Sequence, residues 1–131
     1  MAKLNQFAEL ALDLAPFADF ITVYTEEAHP TDGWAFRTNK YHIKTHASLL
    51  ERRCAAENVA NVLGNSPVDL FLDNMENTAC LKYAASPERL YVVYEGKIVY
   101  QGSKGPIGYK VEEVRTFLEK YKPPKSKIIK L

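Results

Sequence analysis

The stretch that decides the fold is Arg89-Leu90-Tyr91-Val92-Val93-Tyr94-Glu95-Gly96-Lys97-Ile98-Val99-Tyr100-Gln101. Residues 89–94 and 97–101 are two runs rich in β-branched and aromatic residues, which is typical of strands. The pair Glu95-Gly96 between them predicts a two-residue hairpin turn. The sequence therefore predicts an antiparallel hairpin over residues 89–101.

Apolar periodicity on either side of the hairpin predicts four helices and two further strands. Pro16 ends the first helix, Thr45 is the predicted N-cap of the second and Gly64 its stop, and Pro123-Pro124 prevents the last helix from continuing. The predicted elements are helix 3–15, strand 20–24, helix 46–63, strand 68–72, helix 75–84 and helix 111–121.

The resulting order, α-β-α-β-α-β-β-α, resembles a thioredoxin-like α/β fold from which the first strand is missing. In that fold the first strand is interior to the sheet, so two strands would lack a shared partner and many backbone groups would be unpaired. We therefore expect residues 1–131 alone to be poorly folded. The predicted organisation is a partial domain over 1–122 and a basic, solvated tail over 123–131.

Composition fits one globular domain, with 131 residues of which 47% are hydrophobic and 25% charged. A formal net charge of +1 gives no electrostatic reason to expect nucleic-acid binding. The two cysteines, Cys54 and Cys80, form no CxxC motif and have no metal-ligand spacing, so neither a disulfide framework nor a metal site is predicted. Without a run of ~20 apolar residues or a signal-peptide layout, the chain as written predicts a soluble intracellular protein.

The residues with most chemical potential are Glu26-Glu27-Ala28-His29-Pro30-Thr31-Asp32-Gly33-Trp34, directly after the predicted strand 20–24. Ligands of open α/β sheets bind beyond the carboxyl ends of the strands. Two carboxylates, an imidazole and an indole at such a position predict a functional site. The alternative is a polar loop with one exposed histidine, since charged loops commonly follow strands.

Four blocks together resemble the catalytic domain of the iodothyronine deiodinases, closest to type 1. They are EEAHPTDGWAF at 26–36, PERLYVVYEGKIVYQG at 87–102, KGPIGY at 104–109 and EEVRTFLEK at 112–120. The resemblance implies a thioredoxin-fold selenoenzyme that reductively removes iodine from thyroxine and related thyroid hormones. Its nucleophile would be a selenocysteine between the first strand and the first helix.

This sequence contains no selenocysteine, and the resemblance implies that Met1 falls just downstream of its expected position. One hypothesis is that an in-frame UGA codon was read as a stop and an internal methionine was taken as the start. The alternative is a truncated or degenerate product, which would be catalytically silent.

The resemblance also implies the roles of individual residues. Glu27 and His29 would lie near the selenium, with Glu27 orienting His29 or joining a proton relay. His46 matches a second histidine that the family uses, while His42, four residues earlier, is the competing alignment. Glu26 is expected to be structural because neighbouring strand residues point to opposite sides.

Substrate-binding candidates are Trp34, Lys104 and Tyr24. Lys104 occupies a basic position that the resemblance places opposite the histidine for the hormone, but it could equally be a surface lysine beside a turn. Tyr24 could instead be a core aromatic residue. Cys54 and Cys80 are predicted to be small buried hydrophobes.

No bound cofactor is expected, and a thiol or thioredoxin-type reductant would be the co-substrate. The family also implies a membrane-anchored homodimer. Two other classes remain open. One is a thioredoxin-fold interaction module without chemistry. The other is a peroxiredoxin-like thiol peroxidase, which is not favoured because no cysteine lies at the start of the first helix, where the helix dipole could lower its pKa.

Overall fold

The computed structural model describes residues 2–35, 37–38, 40–105, 107–121 and 126–131. The predicted stop at Pro123-Pro124, the tail residues Lys122 and Lys125, and Pro106, Phe36 and Met1 lie outside them. The elements are α1 Ala2–Leu14, β1 Ala18–Tyr24, α2 Leu49–Leu63, β2 Val68–Leu72, α3 Thr78–Lys82, β3 Leu90–Tyr94, β4 Lys97–Gln101, α4 Val111–Tyr121 and β5 Ser126–Lys130.

The predicted hairpin is confirmed, because β3 and β4 pair antiparallel. Glu95 and Gly96 both have positive φ, at 48° and 73°, which is the backbone of a type I′ turn. This turn type twists in the same sense as the flanking strands. The helix predicted over 111–121 is also confirmed, with Val114 and Leu118 on its buried side.

Two helix starts were predicted too early. The N-cap of α2 is Ser48, whose Oγ accepts a hydrogen bond from the Glu51 amide at 3.2 Å, whereas the predicted cap Thr45 is bound to Asp32 instead. Helix α3 covers only Thr78–Lys82 rather than 75–84. The preceding residue, Asn77, has a left-handed backbone with φ of 55°, which an α-helix cannot continue through.

The five strands form one sheet in the order β2-β1-β5-β3-β4. Strand β5 pairs parallel to β1 on one side and antiparallel to β3 on the other. The element order therefore has a ninth element that the sequence did not predict. The expectation of a solvated tail was wrong for residues 128–131, because Ile128, Lys130 and Leu131 are buried.

This arrangement removes the physical premise of the predicted poor folding. Strands β1 and β3 do have a shared partner, and that partner is β5. Two backbone hydrogen bonds of 3.0 Å between Arg89 and Leu131 continue the pairing beyond β5. The mixed α/β architecture with a five-stranded open sheet is compatible with the predicted thioredoxin-like fold.

The main core lies between one face of the sheet and helices α1 and α4. Phe7 of α1 meets Phe20 of β1 edge to face, with ring centroids 5.7 Å apart. Ile128 of β5 is fully buried and aligns with Phe20 on one side and Val92 on the other. Helix α2 packs against the same face through Val59 and Leu63, while a smaller cluster around Tyr91 covers the opposite face.

Strands β1, β2 and β5 are parallel, so their carboxyl ends lie at one edge of the sheet. That edge carries Tyr24, Asp73 and Lys130, each at or just beyond a strand end. Ligand sites of α/β sheets form at such edges. Within the described residues, no helix is long and apolar enough to cross a bilayer.

Candidate functional site

The loop that follows β1 is folded back on itself by a carboxylate clip. Asp32 Oδ1 accepts hydrogen bonds from the Thr45 amide at 2.7 Å and from the Thr45 hydroxyl at 3.0 Å. The Thr31 amide also donates to the Ile43 carbonyl oxygen at 2.8 Å. Hydrogen bonding from the Thr45 backbone lowers the pKa of the Asp32 carboxyl. The clip brings the two ends of the loop, with His29 and His46, to the same edge of the sheet.

Tyr24 and Glu27 form a hydrogen-bonded pair at the end of β1. The Tyr24 hydroxyl donates to Glu27 Oε1. Burial, followed by the adjacent Glu27 carboxylate, raises the pKa of Tyr24 far above its usual value. The phenol is therefore protonated at neutral pH and acts as the hydrogen-bond donor to the carboxylate.

His29 lies on the same loop and is half-buried. Its Nδ1 lies 3.0 Å from the Trp34 carbonyl oxygen, and because a carbonyl can only accept, Nδ1 is the donor. The Trp34 ring meets the imidazole edge-on at 6.1 Å, and 79% of Trp34 is exposed. In the neutral imidazole, Nε2 is then the basic nitrogen.

A cavity of about 330 Å³ opens beside these residues. Its polar lining includes Glu27 and His29, and its apolar lining includes Tyr24, Ile43 and Val59. The volume is at the lower end of the ~300–1,000 Å³ that small-molecule sites occupy. The structure thus brings three of the predicted site residues to one concave surface.

His46 is buried, with 7% of its surface exposed, and its imidazole packs against the Tyr24 ring with centroids 5.7 Å apart. Its Nδ1 accepts a hydrogen bond from Arg52 Nε at 3.3 Å. Its Nε2 is buried without a hydrogen-bond partner among the described residues. Burial and the Arg52 charge lower the pKa of His46, against an opposing effect of Glu27.

Arg52 is the residue that sequence reasoning missed. It is only 2% exposed, and its guanidinium donates to the carbonyl oxygens of Asp73 and Asn74 at 3.1 and 2.5 Å and to Asn77 Oδ1 at 3.0 Å. The spacing of Arg52 from the apolar residues of α2 could have shown that it lies on the buried face of the helix. The buried face of α2 contains Arg52, Ala56, Val59 and Leu63, which are three to four residues apart.

The remaining charged candidates, Glu26, His42 and Lys104, are not among the described residues that line this cavity. Glu26 accepts a hydrogen bond from Asn77 Nδ2 at 2.9 Å, which fits the structural role expected for it. His42 is exposed. Lys104 is exposed in the turn after β4, where its carbonyl oxygen accepts from the Gly108 amide at 3.0 Å. Lys104 is not among the described residues that line the cavity, and its substrate role stays a prediction.

A second cavity of about 200 Å³ shares Tyr24 and Glu27 with the first and contains Glu88 and Lys130. Lys130 Nζ lies 3.2 Å from Glu88 Oε2, and the Tyr109 hydroxyl donates to the same oxygen at 2.7 Å. Burial lowers the pKa of Lys130, and Glu88 partly offsets this. Burial alone would raise the pKa of Glu88, but Lys130 and Tyr109 bring it below its usual value.

The two cysteines differ in environment. Cys80 is buried as predicted, and burial raises the pKa of its thiol. The prediction was wrong for Cys54, which is exposed because α2 presents that side of the helix to solvent. Among the described residues, no group of three His, Cys, Asp or Glu side chains could hold a metal ion.

Comparison with known proteins matches residues 1–122 to the family model described as iodothyronine deiodinase. The chain is 45% identical over 122 residues to thyroxine 5-deiodinase of Gallus gallus, covering 93% of this chain and 46% of that protein. It is 47% identical over 120 residues to type I iodothyronine deiodinase of Xenopus laevis, covering 92% of this chain and 46% of that protein. The chain thus spans less than half the length of these curated relatives.

Proposed function

Because this chain belongs to the iodothyronine deiodinase family, we propose that it forms the substrate-binding and proton-handling part of an enzyme that removes iodine from iodothyronines. The observation that carries the proposal is the family match over residues 1–122, which contains the whole cluster of Tyr24, Glu27, His29 and His46. Relatives named for different deiodinase types match at nearly equal identity, so the preferred hormone ring is not part of the proposal.

Reductive deiodination replaces a carbon–iodine bond by a carbon–hydrogen bond. In overall balance, one iodothyronine and two thiols give the deiodinated product, one disulfide and hydrogen iodide. The thiols supply two electrons, and the ring carbon takes up one proton. Selenium, when present, supplies a soft nucleophile that is ionised at neutral pH, for the same reason that low-pKa thiolates are reactive. The nucleophile is proposed to come from outside residues 1–131.

The residues of this chain would bind the substrate and handle the proton. Ile43 and Val59 provide an apolar wall for an iodinated ring, and the rim at His29 and Trp34 provides a polar and aromatic edge. Tyr24 holds a proton against Glu27 beside the same cavity. These groups can therefore move a proton towards the ring carbon or stabilise an anion next to it.

The family resemblance extends the proposal to three further features. They are a thiol or thioredoxin-type reductant, a homodimer, and a membrane anchor in the full-length protein. Sequencing the transcript upstream of Met1 tests the source of the nucleophile. We expect an in-frame UGA about four codons before Met1 and a selenocysteine-insertion hairpin in the 3′ untranslated region. The absence of both would favour a non-catalytic interaction protein.

Substrate binding can be tested on this chain because Trp34 is its single tryptophan. We expect thyroxine, whose iodine atoms quench indole fluorescence, to reduce Trp34 emission saturably at one site. His29→Ala should weaken binding by about 5–150-fold, since leaving the polar group of the bound ligand without its partner costs ~1–3 kcal/mol. His42→Ala is the matched control and should leave the Kd unchanged. Equal Kd values for both variants would contradict the assignment of the cavity.

A further inference from the structure

Arg52 and His46 are both buried and are joined by a hydrogen bond. We propose that Arg52 is a positioning residue that fixes His46 as a neutral imidazole with its proton on Nε2. The use of that N–H in deiodination rests on the proposed function, whereas the tautomer itself does not. Neither residue type nor spacing in the sequence indicates this pairing, which the fold creates between the end of the site loop and the first turn of α2.

The first step is the direction of the hydrogen bond. An arginine side chain remains charged in proteins and has donors but no acceptor. Arg52 Nε, at 3.3 Å from His46 Nδ1, must therefore donate, and Nδ1 must carry a lone pair. In a neutral imidazole with Nδ1 as acceptor, the single proton lies on Nε2.

The second step is the rigidity of the donor. The Arg52 guanidinium is held by two backbone carbonyl oxygens after β2 and by the Asn77 side chain. The side chain of Asn77 in turn donates a hydrogen bond to Glu26, the second residue after the end of β1. A planar group with contacts on both terminal nitrogens cannot rotate without breaking several hydrogen bonds. The position of Arg52 Nε is therefore fixed, and its N–H requires His46 Nδ1 to act as the hydrogen-bond acceptor.

The third step is the cost of the alternative states. A doubly protonated His46 would place a second N–H against Arg52 Nε and two positive charges in a buried site. The charged groups that act on His46 are Arg52, which opposes its protonation, and Glu27 and Glu51, which favour it. Burial has the largest effect and the Arg52 charge adds to it, so the pKa of His46 is lowered overall.

The fourth step is the state of the other ring nitrogen. Nε2 is buried and has no hydrogen-bond partner among the described residues. A buried donor without a partner is unfavourable, so such a group in a native protein calls for an explanation. An acceptor atom brought by a bound ligand would satisfy it. The hydrogen bond from Arg52 thus leaves His46, which packs against Tyr24, with a proton on Nε2 that can be donated to a ligand.

Long-range ¹H–¹⁵N NMR of the full chain labelled with ¹⁵N-histidine tests the proposal directly. Only three histidines are present, so His46→Gln identifies the His46 signals by their loss. We expect a protonated-type shift for Nε2 and an unprotonated-type shift for Nδ1 at pH 7. We also expect no titration of His46 near its ordinary pKa of ~6.5. A wild-type His46 protonated on Nδ1 would overturn the proposal without any variant.

Arg52→Gln removes the charge and should raise the pKa of His46 and mix its two tautomers. Arg53→Gln, an exposed neighbour in the same helix, is the matched control and should change neither. Arg52→Lys keeps the charge without the planar fork and should retain the low pKa but lose the pure tautomer. An Arg52→Gln protein that is folded and has an unchanged tautomer ratio would refute the positioning role. If Arg52→Gln does not fold, Arg52→Lys and the wild-type spectrum still decide.

The two proposals fail in different ways. Thyroxine binding without the Nε2–H tautomer would refute the role of Arg52 and leave the family function in place. If His46 has the Nε2–H tautomer but thyroxine does not bind, the positioning role of Arg52 is supported and thyroxine is refuted as the substrate.

Discussion

Removing the last nine residues, 123–131, should unfold the protein. Strand β5 aligns with five residues of β1, Ala18 to Thr22, and with four residues of β3, Leu90 to Val93. The sheet order shows that β5 is the connection between the β2-β1 half and the β3-β4 half of the sheet. Without it, both β1 and β3 would expose a new edge in the middle of the core.

The magnitude follows from burial and pairing. Ile128 and Leu131 are 0% and 5% exposed, and burying such side chains contributes about 1.5–3 kcal/mol each. Each backbone hydrogen bond of the two ladders adds ~0.5–1.5 kcal/mol net. The sum reaches the ~5–15 kcal/mol that separates a typical folded domain from its unfolded state. The truncated chain 1–122 should therefore show no cooperative transition.

Urea denaturation followed by far-ultraviolet circular dichroism measures the effect. The full chain should unfold cooperatively, and chain 1–122 should regain a transition when a peptide of residues 123–131 is added. Ile128→Ala should cost ~2–5 kcal/mol, and Ile107→Ala, at a position 90% exposed, is the matched control with an expected change within ~0.5 kcal/mol. Equal urea midpoints for chains 1–122 and 1–131 would refute the central role of β5.

Three further results are expected. The lowered pKa of His46 means that the unfolded chain takes up a proton which the folded chain does not, so stability should fall as the pH drops below ~6.5, and His46→Gln should flatten this dependence of the urea midpoint. Tyr24→Phe should cost ~1 kcal/mol by removing the donor to Glu27, whereas Tyr41→Phe, in the same cavity, should change the unfolding free energy less. Glu88→Gln should cost ~3–5 kcal/mol because buried Lys130 loses its carboxylate, and adding Lys130→Met should restore part of that loss; additive losses in the double variant would contradict the pairing.

Local sequence determined the elements whose patterns match their environment. The hairpin could be predicted because Glu95-Gly96 suits an I′ turn between two β-branched runs. Strand β5 could not, because its residues Ser126-Lys127-Ile128-Ile129-Lys130 contain two lysines and follow two prolines. Its burial depends on unpaired edges of β1 and β3, which are far away in the sequence. Tertiary context therefore outweighed local polarity.

The site shows the same division. Glu27 and His29 lie two residues apart, so their shared cavity follows from the loop alone. His46 could be linked to them only through family resemblance. It is brought near them by the hydrogen bond between Asp32 and Thr45, which closes the intervening loop and which no local sequence pattern reveals. Arg52 was missed, although its spacing from Ala56, Val59 and Leu63 places it on the buried face of α2, and no pattern in the sequence identified its partner. Residues that act by positioning another side chain are thus the part of a site that sequence reasoning finds last.

The two histidines of the site are held in opposite protonation patterns by their hydrogen bonds. The Trp34 carbonyl oxygen accepts a hydrogen bond from Nδ1–H of His29, which leaves Nε2 as the acceptor nitrogen whenever the ring is neutral. Arg52 imposes the reverse on His46, whose proton lies on Nε2. Proton-transfer chemistry needs one group that accepts and one that donates, and Tyr24, whose hydroxyl donates to Glu27, packs against the His46 ring. A backbone carbonyl and a buried guanidinium can therefore assign different tasks to two chemically identical side chains.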